Sequence, residues 1–469
     1  MTAVIQDIAS FINYTRDVVF LREIDHILII RPNKIQHLNG TAYEMLDALY
    51  NRNRPPEEMV LRLSEKYGAS SDTVRNDMIA LLSSINAIMR EEYSQAPLVS
   101  TIEFDPKSIA FPVLSEIAVT YRCQNRCDFC YASSPYRGGD VKEMNLAEIR
   151  IVIDKIFGEA QVPTISFTGG EPTLRDDLPA MIRHASDIGM RTNLITNGIR
   201  CSDDAFVREL AKAGLKSAQV SLESHRADIH DSITGNPGSH GKTLQGIEHL
   251  TRAGIHTHTN TTICRKNKDH LAVLARFVKD VFGFPYLSMN MIIATGTARD
   301  NEDLRIGYSA IGDIINPIID YCEVLGMRLV WYSPTPYCIF NPVDRGLGST
   351  SCACISGLLS VNPAGELLPC SSYDRGVGSL LTSSFTSLWS SDQALYWRER
   401  RYTPPVCRGC EYEPMCGGAC PLYWEHAGSF DEIERVRNKR PTLRNLIWTV
   451  ENRLRVKTKG IQGTTANRG

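Results

Sequence analysis

Nowhere in the 469 residues do eighteen consecutive apolar side chains occur, which excludes a membrane helix read from hydropathy. Met1 to Phe11 lacks the basic start of a secretory signal. Charge of one sign is lacking too. The 51 Lys/Arg against 53 Asp/Glu leave a formal charge of -2, with no global field for nucleic acid or a membrane surface. No H-E-x-x-H, Walker loop or dinucleotide fingerprint occurs, so zinc hydrolysis and ATP use have no support. These absences predict a soluble, cytoplasmic chain, long enough for two to four domains with their own cores.

Cysteine is plentiful: fourteen, where a reducing compartment argues for metal binding or catalysis rather than disulfides. Eleven fall in three groups, at 123 to 130, 338 to 370 and 407 to 420, the grouping that metal sites need. Cys123, Cys127 and Cys130 are spaced C-x3-C-x2-C. Three thiolates so close can hold three irons of a four-iron cluster, leaving the fourth iron open to substrate. A three-ligand zinc site, or thiols packed as small hydrophobes, are the alternatives. Cys201, Cys264 and Cys322 stand alone and read as buried thiols.

The triplet follows a strand-like run from Glu116 to Tyr121, and about forty residues on comes Ile165-Ser-Phe-Thr-Gly-Gly-Glu-Pro172. In form and order these resemble the radical S-adenosylmethionine (SAM) enzymes, over about residues 114 to 430. The resemblance implies a [4Fe-4S] cluster on Cys123, Cys127 and Cys130, with Phe129 shielding it near the adenine of SAM. Gly169, Gly170 and Glu171 would meet the methionine end, their carbonyl or carboxylate oxygens accepting from its ammonium. Ser221 would meet the ribose or carboxylate of SAM with Glu223 beside it, Asn197 and Asn260 at strand ends would join the SAM-binding set, and Arg265 would clamp the SAM carboxylate. A reductant such as flavodoxin or ferredoxin is implied as a partner. No hydrogen donor or base is identifiable from the sequence.

Strand patterns near 115–121, 163–168, 191–196, 217–222, 256–263 and 286–293 alternate with helical ones near 145–157, 177–188, 203–213, 241–253, 268–281 and 310–325. Such alternation predicts a parallel sheet with crossover helices. Six units fit the partial (β/α)6 TIM-like barrel of the resembled family, here over 114–333. His256 and His258 share one strand face without a third ligand and read as packing residues.

Residues 1–95 form a separate unit. Val18 to Leu21 and His26 to Ile30 read as a hairpin. Thr41-Ala-Tyr-Glu44 reads as a capping box, Pro55-Pro56 opens a second helix that Gly68 ends, and Ser71 caps a third. That third helix carries Val74, Met78, Leu81, Leu82, Ile85 and Ile88 on one face. A hairpin followed by three helices is a winged-helix outline. Thirteen acidic against ten basic residues argue against DNA, whose phosphates want the opposite sign. Ahead of a radical SAM core the order of elements is similar to the PqqD-like leader-recognition domains. Those bind a precursor peptide's leader as an added strand. A linker, 96–113, carries Pro97, Pro106 and Pro112.

In 334–430, Cys407-x2-Cys410-x5-Cys416-x3-Cys420 follows Gly365-x4-Cys370, with Cys352 and Cys354 upstream. Zinc is an alternative for such spacing, but behind a radical SAM core the pattern resembles the SPASM domain, which holds auxiliary iron–sulfur clusters. The resemblance implies one or two. Cys370 and Cys420 would share one with two of Cys338, Cys352 and Cys354, while Cys407, Cys410 and Cys416 would bind the second. No cysteine follows Cys420, so that second cluster lacks its usual last ligand. His426, Asp431 and Glu432 are candidates to replace it, or an iron stays open. From Arg435 the tail, within 431–469, carries ten Lys/Arg against Glu451, and 441–456 reads as an amphipathic helix.

The expected activity is reductive cleavage of SAM to a 5′-deoxyadenosyl radical that modifies a ribosomally made peptide by crosslinking, oxidation or epimerisation. A small molecule or a folded protein, as in cofactor biosynthesis or sulfatase maturation, is the alternative target. A non-enzymatic iron–sulfur electron carrier ranks last, because it leaves Gly169 to Glu171 unexplained.

Overall fold

The computed structural model describes residues 7–32, 34–90, 92, 109–134, 141–354 and 356–438. The expected helix at 441–456 and most of the proline-bearing linker lie outside them.

A helix absent from the sequence reading, α1 (Ile8–Thr15), precedes β1 (Val19–Arg22), β2 (Ile27–Ile30) and β3 (Lys34–His37). The expected hairpin is therefore a three-stranded antiparallel meander, order β1-β2-β3. The unbroken apolar run of β2 has a physical reason, because both faces of this sheet are covered. Leu28 and Ile30 face the helical core with Val19, Met78 and Leu82, while Ile27 and Ile29 face Val113 at the start of the barrel.

The helices are α2 (Gly40–Leu46), α3 (Pro56–Tyr67) and α4 (Ser71–Met89). Gly68 ends α3 in the left-handed conformation, as its position predicts. The capping box at Thr41 is corrected. Asn39 is the last extended residue, and its side chain accepts from Ala42 N–H at 2.8 Å. Glu44 instead pairs with Lys66 of α3 at 2.6 Å. Likewise Ser70, not Ser71, caps α4 by accepting from Thr73 N–H at 3.1 Å. The six apolar residues expected on one face of α4 are all buried.

The barrel strands are β4 (Leu114–Thr120), β5 (Thr164–Gly169), β6 (Arg191–Thr196), β7 (Ser217–Ser221), β8 (His256–Ile263), β9 (Tyr286–Met291) and β10 (Arg328–Trp331), all paired in parallel. The crossovers are α5 (Leu146–Gly158), α6 (Leu178–Asp187), α7 (Asp204–Lys212), the short α8 (Ala227–Thr234) with α9 (Ser239–Arg252), α10 (Leu271–Phe282) and α11 (Tyr308–Val324). The seventh strand, β10, spans only four residues, too few to register as a period in sequence.

Beyond the other edge, β11 (Leu358–Val361) pairs in parallel with β4, followed by antiparallel β12 (Glu366–Leu368) and β13 (Gly378–Ser379). The cysteine-rich segment thus extends the barrel sheet itself. It ends in five short helices: α12 (Phe385–Trp389), α13 (Asp392–Arg398), α14 (Glu413–Cys416), α15 (Pro421–Ala427) and α16 (Asp431–Asn438).

The N-terminal unit sits at the end of the barrel where the strands begin. Arg31 donates to the Gly189 carbonyl just before β6 at 2.8 Å, and the Phe20 ring packs tilted against Phe157 of α5. Arg22 is the latch. Fully buried, it pairs bidentately with Asp25 and donates to the carbonyls of Phe111 and Pro112 at 2.8 and 2.7 Å. Asp25 in turn accepts from Ala110 N–H at 2.9 Å. No helix among the described residues is long and apolar enough to cross a membrane.

Candidate active site

At the other end, where the parallel strands stop, a cavity of about 430 Å³ opens, and Cys123, Cys127 and Cys130 line it together. Their loop leaves β4 and is held from several sides. Arg126 N–H donates to the Thr234 carbonyl at 2.8 Å, and Asn301 donates to the Asp128 carbonyl at 3.0 Å. The Thr297 hydroxyl donates to the Cys127 carbonyl at 3.0 Å. Burial raises all three thiols, Cys123 to about 12, with neighbouring acids and thiols adding to the effect on Cys123 and Cys127. Three half-buried thiols facing one cavity suit a cation that binds the thiolate form.

The Gly-Gly-Glu turn supports this loop. Gly170 N–H donates to the Thr120 carbonyl and Glu171 N–H to the Arg122 carbonyl, both at 2.8 Å. A Cβ on Gly169 would sit 2.0 Å from the Thr120 oxygen, and one on Gly170 would sit 2.4 Å from the Arg122 oxygen. The glycines therefore make room for the cysteine loop's own backbone. Glu171 departs from its expected role. Its buried carboxylate accepts from Thr173 N–H and hydroxyl (3.1 and 2.6 Å), the Thr196 hydroxyl (2.7 Å) and Asn197 N–H (2.8 Å). Burial pushes this carboxyl above the usual range while the donors pull it back. With four donors engaged it joins the ends of β5 and β6, and it does not line the cavity.

Phe129, Asn197, Ser221, Glu223 and Asn260 do line it, each from a strand end or the cysteine loop. Asn197 donates to the Cys123 sulfur at 3.8 Å, and Asn260 donates to Asn290 of β9 at 2.8 Å. Glu223 accepts from Thr262 N–H at 2.9 Å, and burial pushes its carboxyl up to about 8. Arg265 is corrected. Strand β8 ends at Ile263, so residue 265 turns outward; it is exposed and donates to the Arg305 carbonyl at 3.1 Å. No Arg or Lys is among the cavity-lining residues.

Sequence reasoning missed Glu116, Tyr131, Asn290 and Tyr332, which share the cavity. Glu116 accepts from the Ser360 hydroxyl of β11 at 2.6 Å, and burial raises its carboxyl. The available signal was a lone carboxylate inside an otherwise apolar strand.

A second cavity, about 230 Å³, is lined by Cys352, Cys354, Cys370 and Cys420. It shares Ile293, Tyr332, Pro334 and Ser372 with the first, so the two adjoin. The Cys352 and Cys354 sulfurs are 3.0 Å apart. A hydrogen bond from Cys354 holds the Cys352 thiol down, and that same bond, with Cys370 nearby, pushes Cys354 up. Of the three candidates to join Cys370 and Cys420, the structure brings Cys352 and Cys354. Cys338 lies with Cys407, Cys410 and Cys416 instead, within electrostatic range of all three. The residues offered as substitutes are engaged elsewhere or exposed. His426 faces Glu302 at 3.5 Å, Glu432 accepts from Ser309 N–H at 2.6 Å, and Asp431 is exposed at the start of α16.

Residues 117–278 match the radical SAM superfamily, 352–411 an iron–sulfur cluster-binding (SPASM) domain, and 26–87 coenzyme PQQ synthesis protein D (PqqD). An AdoMet-dependent heme synthase of Oleidesulfovibrio alaskensis is 27% identical over 66% of this chain and 83% of its own length. A PqqA peptide cyclase of Bradyrhizobium diazoefficiens is 25% identical over 67% of this chain and 82% of its own length. Among solved structures, Streptococcus suis SuiB bound to precursor peptide SuiA aligns with TM-score 0.64 at 13% identity. It covers 87% of this chain and 95% of that one.

Proposed function

We propose, for a radical SAM enzyme that also carries PqqD and SPASM domains, that its substrate is a ribosomally made precursor peptide held through its leader. The observation that carries the proposal is the PqqD domain on the same chain as the cysteine-lined cavity. The relatives named PqqA peptide cyclase and the fold shared with SuiB support it.

The residues fit the implied groups. Cys123, Cys127 and Cys130 would hold the [4Fe-4S] cluster from one braced loop that opens on a cavity. When bound and reduced, that cluster supplies one electron to the sulfonium of SAM, whose broken carbon–sulfur bond leaves a radical able to take a substrate hydrogen. The chain's part is position and exclusion of water. Asn197, Ser221, Glu223 and Asn260 present amide, hydroxyl and carboxyl groups at strand ends to receive SAM. Glu171 keeps the β5 and β6 ends together, and Phe129 packs against Cys264 and Ile292 beside the cluster loop. Cys352, Cys354, Cys370 and Cys420 would hold an auxiliary cluster against the wall that both cavities share.

At the distant N-terminal unit, β3 is, with β1, an edge strand of the sheet among the described residues. Leu38 N–H pairs with the His26 carbonyl, so antiparallel alternation directs the amide groups of Ile35 outward. A leader adding a strand there gains backbone hydrogen bonds.

The test begins with anaerobic reconstitution of iron, addition of SAM and dithionite, and quantification of 5′-deoxyadenosine. Wild type is expected to form the nucleoside and Cys127→Ala none. No nucleoside from fully reconstituted wild type would promote the electron-carrier reading. A small-molecule substrate is the second reading, favoured by the heme synthase relatives. It is distinguished by titrating residues 1–95 of the full chain, through hydrogen exchange, with synthetic leader peptides encoded nearby. Protection of β3 supports the peptide; none across all candidates supports the small molecule.

A further inference from the structure

The segment after β10 runs along both cavities and then leaves them. Tyr332, Ser333 and Pro334 line the SAM-sized cavity, and Pro334 also lines the Cys352/Cys354/Cys370/Cys420 cavity. Four residues later the chain reaches Cys338, which lines neither. What holds this segment is the other thiol group. Tyr337 N–H donates to the Cys416 sulfur at 3.4 Å, and the Cys416 thiol approaches the Thr335 carbonyl at 3.8 Å. The Tyr337 and Tyr412 rings lie 6.2 Å apart. A turn closed by Ile339 N–H and Phe340 N–H on the Pro336 carbonyl then sets Cys338 against the same group.

Opposite it, Cys407, Cys410 and Cys416 are brought round by consecutive turns. Cys410 N–H donates to the Cys407 carbonyl at 3.1 Å, and Cys416 N–H to the Tyr412 carbonyl at 2.7 Å. Gly418 passes close beside them, so that a Cβ there would lie 3.5 Å from the Cys407 sulfur. All four thiols, unlike lone Cys201 or Cys322, have other thiols as neighbours, and Arg437 of α16 adds a cation beside Cys338 and Cys407.

We propose that Cys338 is the fourth protein ligand of the second auxiliary iron–sulfur cluster, completing a set with Cys407, Cys410 and Cys416. The proposal rests on the SPASM reading of this domain. It reverses the order in which the chain supplies the last ligand, from before the other three rather than after Cys420. A closed four-thiolate centre has no iron open to substrate, which assigns this cluster to electron transfer. The cluster on Cys352, Cys354, Cys370 and Cys420 is closed by the same count, and its place beside the SAM cavity makes it the nearer acceptor of a substrate electron. The backbone donor to Cys416 is of the kind that tunes a cluster's potential.

The experiment measures iron, acid-labile sulfide and zinc per chain, with electron paramagnetic resonance of the reduced protein. Full-length wild type, Cys338→Ala, Cys338→Ser and Cys322→Ala are reconstituted side by side. Wild type is expected to hold about twelve irons, as three four-iron clusters. Cys338→Ala should lose between about one and four irons, through a three-iron cluster or loss of the centre. Cys338→Ser offers an oxygen ligand; it should keep most of the iron while one cluster's resonance and potential shift. Cys322→Ala should match wild type. Equal iron and unchanged spectra in both Cys338 variants would overturn the ligand assignment while leaving three clusters standing. About eight irons with one zinc, or about four irons alone, in wild type would overturn the second cluster itself and, in the latter case, the SPASM reading.

Discussion

At the scale of single residues, the site depends on close backbone approach and on buried groups kept in one protonation state. Gly170→Ala puts a methyl 2.4 Å from the Arg122 carbonyl, where backbone has to move. The expected outcome is a folded protein that retains fewer than half the wild-type irons on the Cys123 loop. Iron analysis in a variant lacking the auxiliary cysteines checks it. His258 tests the barrel interior. Its ring contacts Gln219 at 3.3 Å, and burial holds its pKa down to about 4 from 6.5. A folded-state value below the unfolded one means stability present above pH 6.5 and lost as pH falls from 6.5 through about 4. Of the groups facing it, His256 adds a like-charge penalty and the Tyr286 ring lies tilted at 5.3 Å. His258→Gln should therefore reduce the loss of stability on acidification by on the order of 1–3 kcal/mol, read from urea midpoints at two pH values.

At the scale of elements, strand ends shape the candidate site. The end of β5 touches the end of β4 through backbone bonds of the glycine turn, and the Glu171 carboxylate ties β5 to β6, so one turn braces three strand ends beneath the cysteine loop. The N-terminal meander is fixed by a different buried charge. Arg22→Ala would leave Asp25 and two carbonyls without their cation, a loss of about 3–5 kcal/mol when one partner of a buried pair is removed. Faster hydrogen exchange at residues 110–114, with no change at β6 to β9, is the expected signature. These elements were mostly legible in sequence. The six strand patterns and six helix patterns correspond to observed elements within a few residues at each end, because strands and longer amphipathic helices alternate along the chain and each spans five residues or more. Short pieces were mostly not legible: β3 and β10 with four residues and β13 with two were missed, whereas β1 and β2, equally short, showed as apolar runs flanking a polar turn.

At the scale of the whole molecule, the PqqD-like unit and the cysteine-lined cavity occupy opposite ends of the parallel strands. Six to seven residues of strand separate them, about 20 Å. Under the proposed function, a peptide held at β3 would run that distance along the outside before its modified residue entered the cavity. Precursor variants with fewer than about seven residues between leader and modified position are therefore expected to bind with unchanged affinity but to be modified at under a tenth of the rate. Single-turnover assays against a spacer series, with binding measured in parallel, read both quantities.

What the sequence determined by itself was local: which residues make strands and helices, and which cysteines share a loop. Spacing sufficed to group Cys123, Cys127 and Cys130, because thiols within eight residues need no long-range fold to bring them together. What only the tertiary structure decided was partnership over distance. It placed Cys338 with Cys416, seventy-eight positions on, and Cys352 with Cys420. It also turned Arg265 outward and Glu171 into a brace, and brought Glu116 into the cavity. The physical reason is that side-chain direction at a strand end, and the meeting of distant loops, follow from sheet register and packing, which no local pattern specifies.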